Sequence, residues 1–86
     1  VTYTIRVAES AFTEFMRLPE DTVLAILMDL ESLRDAPYDE NSFALQPEPT
    51  FTILHHRRLP TNGHQVVYTV DDHHRTVLVA HVTDQF

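Results

Sequence analysis

His55-His56-Arg57-Arg58 is the concentrated positive segment of the chain, and every fixed cation is an arginine because no lysine occurs. Arginine offers a planar fork of donors that suits a phosphate, and a histidine of near-neutral pKa can give or take a proton. The same four residues could instead solvate a strand end and block further pairing there. His64 and His81 form a second constellation. A tight turn at Asp72-His73 pairs positions whose numbers sum to 145, which makes these two histidines direct cross-strand neighbours. Such a pair could act as acid and base or supply two metal ligands. No third ligand is specified, so no metal site is expected, and mutual repulsion would disfavour double protonation. Asp71-Asp72 falls where aspartate bonds to local turn backbone. No Gly-rich phosphate loop, nucleophile elbow or zinc pattern occurs, and no cofactor is implied.

The elements that must position these groups follow from periodicity. Thr2–Val7 alternates, with Tyr3, Ile5 and Val7 on one face, and predicts a half-buried strand. Ala11, Phe12, Phe15 and Leu18 recur at helical spacing, with Ser10 or Glu9 available as a cap. Pro19-Glu20-Asp21 restarts a helix, since Pro suits its first position and the acids complement its positive end. Val23, Leu24, Ile26, Leu27, Leu30 and Leu33 give that helix a wide apolar stripe, and it should stop before Pro37. The polar stretch from Pro37 to Thr50 contains Phe43 and Leu45 as inward anchors. Phe51–Arg58, His64–Asp71 and Arg75–Val82 read as strands, the first two joined around Asn62-Gly63, with Pro60 suggesting a loop longer than two residues.

The order β-α-α-β-β-β implies an α+β domain spanning residues 1–86, with a helical hairpin on one face of a mainly antiparallel four-stranded sheet. Strand parity assigns Phe51, Ile53, His55, Val66, Tyr68, Val70, Val77 and Val79 to the core. Thr52, Leu54, His56, Arg58, Gln65, Val67, Thr69, Leu78 and Ala80 then form a mixed bare face that suits a partner or substrate.

Charge narrows the classes of function. Residues 1–50 hold three Arg against ten acids, residues 51–86 hold three of each, and the net charge is −7. A protein that wraps duplex DNA or lies on anionic lipid depends on basic counter-charge, so neither fits. No apolar run approaches the ~18 residues needed to span a bilayer. The absence of cysteine rules out thiolate chemistry and suits a reducing compartment. The N-terminus has no basic stretch followed by an apolar one, so no secretion signal is expected, and the expected location is the cytoplasm.

Tyr3-Thr4-Ile5-Arg6-Val7, Ala11, Leu18-Pro19 and Glu31-Ser32-Leu33 with Pro37 resemble the first strand and helical hairpin of the RelE/ParE toxin superfamily. Gly63-His64-Gln65-Val66-Val67-Tyr68 resembles its Gly-x-Tyr-Arg-Val-x-Tyr core, and Thr76–Val82 its final strand. The resemblance covers nearly the whole chain. It implies a RelE-like toxin of a bacterial toxin–antitoxin pair, with a cognate antitoxin as partner and messenger RNA on the ribosome as substrate. In that reaction a ribose 2′-hydroxyl attacks the adjacent phosphate, which calls for a proton acceptor, a proton donor and nearby cations. The residues read as substitutes for the family's usual basic set are His56, Arg57, Arg58, His64, Gln65 and His81. Gln65 stands where the family has Arg and His64 where it has Tyr. Thr52 and Leu54 occupy usually basic positions, and Thr83-Asp84-Gln85-Phe86 replaces a basic segment. The resemblance thus leaves two readings: a translation-inhibiting messenger RNA endoribonuclease, or a catalytically silent module that captures a partner, forms a homodimer or inhibits gyrase as ParE-type members do.

Overall fold

A computed structural model of the chain describes residues 2–44 and 54–84. Strand β1 covers Thr4–Val7, beginning two residues later than its alternation suggests, with Tyr3 buried just ahead of it. Helix α1 (Glu9–Phe15) buries Ala11 and Phe15. Neither Ser10 nor Glu9 caps it: the N-cap is Ala8, with no side-chain cap bond. The Ser10 hydroxyl donates instead to the Ala80 carbonyl at 2.7 Å, and the Ala8 N–H donates to that of Val79 at 2.9 Å. The start of the helix is therefore tied to a strand some seventy residues away.

Helix α2 (Glu20–Glu31) begins after Pro19 with Glu20 and Asp21 in its first turn, where their charges complement the helix dipole. It closes in a 3₁₀ turn, Ser32–Arg34, and the Ala36 N–H returns to Ser32 O at 3.1 Å ahead of Pro37. Its buried seam is narrower than the apolar stripe. Ile26, Leu30 and Leu33 are buried, whereas Leu24 and Leu27 are 55% and 41% exposed.

Three long strands follow: β3 (Leu54–Thr61), β4 (His64–Asp71) and β5 (Thr76–Asp84), preceded by a short β2 (Phe43–Ala44). The sheet has five strands rather than four, in the order β1-β5-β4-β3-β2. Strand β1 lies parallel to β5, and all other pairings are antiparallel. The extra strand exists because the polar stretch doubles back along β3, which places Phe43 opposite Arg58 and Ala44 opposite Arg57. Phe43 is 51% exposed rather than tucked inward. The expectations for Leu45, Phe51, Thr52, Ile53, Gln85 and Phe86, and for the side chain of Leu54, lie outside the described residues.

The β3–β4 connection is a two-residue turn with positive φ at both Asn62 and Gly63, the conformation that matches strand twist. Pro60 does not lengthen it. It faces Gln65 in a pair that exchanges no hydrogen bonds, so its missing N–H points away from β4. The β4–β5 connection is longer than the two-residue turn read from the sequence. Asp71 pairs with Thr76, Arg75 takes a positive φ, and the Asp71 carboxylate accepts the His74 N–H at 3.1 Å. Positions here sum to 147 up to Tyr68↔Val79 and to 148 from Val67↔His81 onward, which leaves Ala80 as the extra residue of a β-bulge.

The core lies between the helices and one sheet face. Val66, Tyr68, Val70, Val77 and Val79 are buried, as their parity implies, and Leu59 and Val82 join them. Each fully buried aliphatic side chain of this kind contributes about 1.5–3 kcal/mol. The Tyr68 hydroxyl donates to the Pro37 carbonyl at 2.8 Å, and burial raises its pKa. His55 is only half-buried on this side.

Candidate functional site

The face of the sheet away from the helices is built by register. Parity turns Arg58, Val67 and Phe43 outward, opposite to the buried Tyr68 and Leu59, and the Ala80 bulge adds His81 opposite Val67. One cross-sheet row thus reads Phe43, Arg58, Val67, His81. A second row reads His56, Thr69, Leu78, Arg6. Adjacent strands lie about 4.8 Å apart, so Arg58 and His81, two strands apart, have Cα atoms roughly 10 Å from each other. Arg58 and His81 therefore share one face with Val67 between them. The Arg58 guanidinium stands 5.5 Å from the centroid of the Phe43 ring, a cation–π contact, and His56 Nδ1 is 3.0 Å from the Thr69 hydroxyl.

The chain's acids are mostly elsewhere. Residues 9–35 hold seven acids against two Arg, all on the hairpin side or its rim. The bare face holds Arg6, Arg58, His56 and His81, with Asp71 engaged by His74 at 2.8 Å. An acidic protein therefore presents one locally basic surface.

Four of the six expected site residues sit away from the Arg58–His81 row: His56, in the second row, and Arg57, His64 and Gln65. Arg57 faces the helix side, where Nε donates to the Ser42 hydroxyl at 3.0 Å and a terminal nitrogen to the Ser42 carbonyl at 3.2 Å. Its guanidinium also lies 5.2 Å from the Tyr38 ring centroid, so it clamps the approach to β2. His64 pairs with Thr61 and Asp84, not His81, and its Nδ1 lies 3.1 Å from the Asn62 carbonyl. The sum of 145 fails because the loop adds two positions and the bulge a third. Gln65 does face outward, but one row along, opposite Pro60 and Thr83.

Two groups near the sheet were not read as site residues. Glu14 of α1 brings Oε1 within 3.2 Å of both His81 Nδ1 and the Val82 N–H. Asp72 gathers the other end of the sheet: Tyr3 and Tyr38 hydroxyls each donate to it at 2.7 Å, and His55 Nε2 is 3.4 Å away. Burial alone would push the Asp72 carboxyl up, but the two tyrosine bonds and the charges of His55 and Arg75 outweigh it and hold the pKa below the ordinary value. The bond to Asp72 correspondingly raises the Tyr3 pKa. No local periodicity marks either contact. Among the described residues, no group of three or more His, Asp or Glu is placed to hold a metal ion, and no helix is long and apolar enough to cross a membrane.

With that geometry, solved structures supply the comparison. The archaeal RelE–RelB complex of Pyrococcus horikoshii superposes with a TM-score of 0.85 at 15% identity, covering 98% of this chain and 96% of that one. The toxin–antitoxin complex RelBE2 of Mycobacterium tuberculosis gives 0.80 at 22% identity, over 99% and 100%. The YoeB dimer of Staphylococcus aureus gives 0.66 at 22%, over all of both chains. No protein-family model matches the chain, and no curated protein does. The fold is RelE-like, as the resemblance implied.

Proposed function

We propose that this chain is the toxin of a toxin–antitoxin pair and that it cleaves messenger RNA on the ribosome through the bare sheet face. The observation that carries this reading is the row Phe43–Arg58–Val67–His81, which sets an arginine and a histidine on one face two strands apart on a RelE-like fold. Arg58 holds the scissile phosphate, and Phe43 gives a base a ring to stack on. His81 Nε2 takes the 2′-hydroxyl proton. The O2′–P bond forms, the P–O5′ bond breaks with its electron pair left on O5′, and that oxygen is protonated by His56 or water. The products are a 2′,3′-cyclic phosphate and a free 5′-hydroxyl. Gln65 contributes neutral donors at the edge of the row. Arg57 and His64 have no part in this mechanism, because both are engaged away from the row.

The partner reading rests on the helices. Val7, Phe12, Met16 and Leu27 line a largely apolar cleft of about 430 Å³ between α1, α2 and the end of β1. Phe12 and Met16 are 59% and 72% exposed. A patch of this kind marks an interaction surface. The Pyrococcus and Mycobacterium structures are complexes with an antitoxin, which makes an antitoxin the proposed occupant, and the Staphylococcus structure makes a homodimer the alternative.

In a translating extract, the purified protein should truncate messenger RNA. Arg58→Ala and His81→Ala should each lower the rate about 100- to 1,000-fold, while Arg57→Ala leaves it nearly unchanged. Intact transcripts at high protein concentration would overturn the nuclease reading. Gln65, a neutral residue where the resemblance expects Arg, favours a second reading as a silent or gyrase-directed module. Growth arrest and lost gyrase supercoiling with untouched transcripts would establish that reading instead.

A further inference from the structure

We infer that Glu14 of helix α1 is the positioning residue for His81: it holds the imidazole as the Nδ1–H tautomer and leaves Nε2 as the proton acceptor on the bare sheet face. The use of that acceptor against RNA rests on the function proposed above; the tautomer does not.

The inference follows from where one oxygen is held. Strand β1 ends at Val7, opposite Val79, so β5 has no strand neighbour on that side beyond this point. Helix α1 takes over the exposed edge. The Ser10 hydroxyl donates to the Ala80 carbonyl, and Glu14 Oε1 accepts the Val82 N–H at 3.2 Å. Since α1 is tied at both points, the carboxylate is fixed relative to β5. The same Oε1 lies 3.2 Å from His81 Nδ1.

A carboxylate oxygen can only accept, so the nitrogen facing it must carry the proton. In the neutral ring the other nitrogen is then bare. The Ala80 bulge directs His81 into the row with Val67 and Arg58. The Glu14 side chain is 29% exposed and that of His81 55%, which suits a shielded orienting group and an accessible reactive one. This division of labour is the one a buried carboxylate and a histidine perform in hydrolase triads, here assembled from a helix and a bulged strand. Arg58 lies on the far side of Val67 and supplies the positive charge for the phosphate.

The test is ¹⁵N NMR of the His81 imidazole in the full chain, at a pH where the ring is neutral. Wild-type protein should show a protonated-type Nδ1 and a bare Nε2. Glu14→Ala should return His81 to the solution preference for the Nε2–H form. Glu14→Gln should keep the wild-type pattern, because its amide oxygen must still accept the Val82 N–H and so presents the same acceptor to Nδ1. A wild-type His81 in the Nε2–H form, or a Glu14→Ala spectrum unchanged in a folded protein, would overturn the inference. In the cleavage assay, Glu14→Ala should lower kcat about 100-fold with KM within about twofold, and Glu14→Gln should recover most of it. An effect on KM alone would also overturn the positioning role. If the tautomer is as expected but wild-type protein cuts no RNA, the nuclease reading fails while the Glu14–His81 pair stands.

Discussion

Asp72 shows how a single side chain can be decisive for shape without touching the reactive surface. Two tyrosine hydroxyls and a histidine converge on it from just ahead of β1, from the stretch before β2 and from β3. Replacing it with asparagine leaves those donors competing for one amide oxygen, and should cost about 1–3 kcal/mol. The pH dependence has a definite sign. The Asp72 pKa is lowered in the folded state, and so is that of Asp71, chiefly by its bonds to His74. Stability from a depressed carboxyl is complete above its unfolded pKa of about 3.9 and is lost as pH falls through the folded value. Thermal melts of Asp72→Asn should therefore lie well below wild type at pH 7, and the gap should shrink below about pH 4. A constant gap would show that the carboxylate's charge is irrelevant to the clamp.

At the scale of elements, the bulge at Ala80 decides which way the end of β5 faces. Deleting Ala80 should restore a regular ladder with His81 still opposite Val67 and Val82 still in the core, because Val79 and His81 already face successive positions of β4, and it should remove the carbonyl that Ser10 holds. Surface labelling of His81 should be retained, and the melting temperature should fall as the tie between Ser10 and the bulge is lost; a drop in labelling would show that the end of the strand had slipped instead. This element also marks the limit of what the amino-acid string reveals. Strand β4 was legible because Val66, Tyr68 and Val70 alternate against polar or smaller neighbours, and parity survived an error of two in the turn length because two is an even number. The bulge was not legible: it depends on Ser10 and Glu14 holding the edge of β5, contacts between segments about seventy positions apart. Phe43 was misread for a related reason. With only two residues in β2 there is no alternation to follow, and its direction is set by pairing with Arg58. The Arg-Arg pair likewise looked like one patch, although adjacent strand residues must point to opposite faces.

Across the whole molecule, charge is distributed so that the net value misleads. The chain carries −7, but the acids concentrate on the hairpin while the open sheet face carries Arg6, Arg58, His56 and His81. RNA bound there should neutralise only about two phosphates, so the logarithm of affinity should fall with the logarithm of salt at a slope near −1.4. Binding measured between 50 and 200 mM salt (about a fourfold span) would then weaken by roughly sevenfold. A loss of several hundredfold would mean that a wider basic surface is involved.

Strand β5 lies between β1 and β4, yet it is synthesised after every other element described here. Until the ribosome has released it, β1 has no ladder to join, the hairpin has only part of its platform, and neither His81 nor its helix-borne partner is in place. Under the function proposed above, a nascent chain is thus harmless to the machine that is making it, and any segment that intercepts β5 as it emerges would prevent activity from arising rather than having to suppress it afterwards.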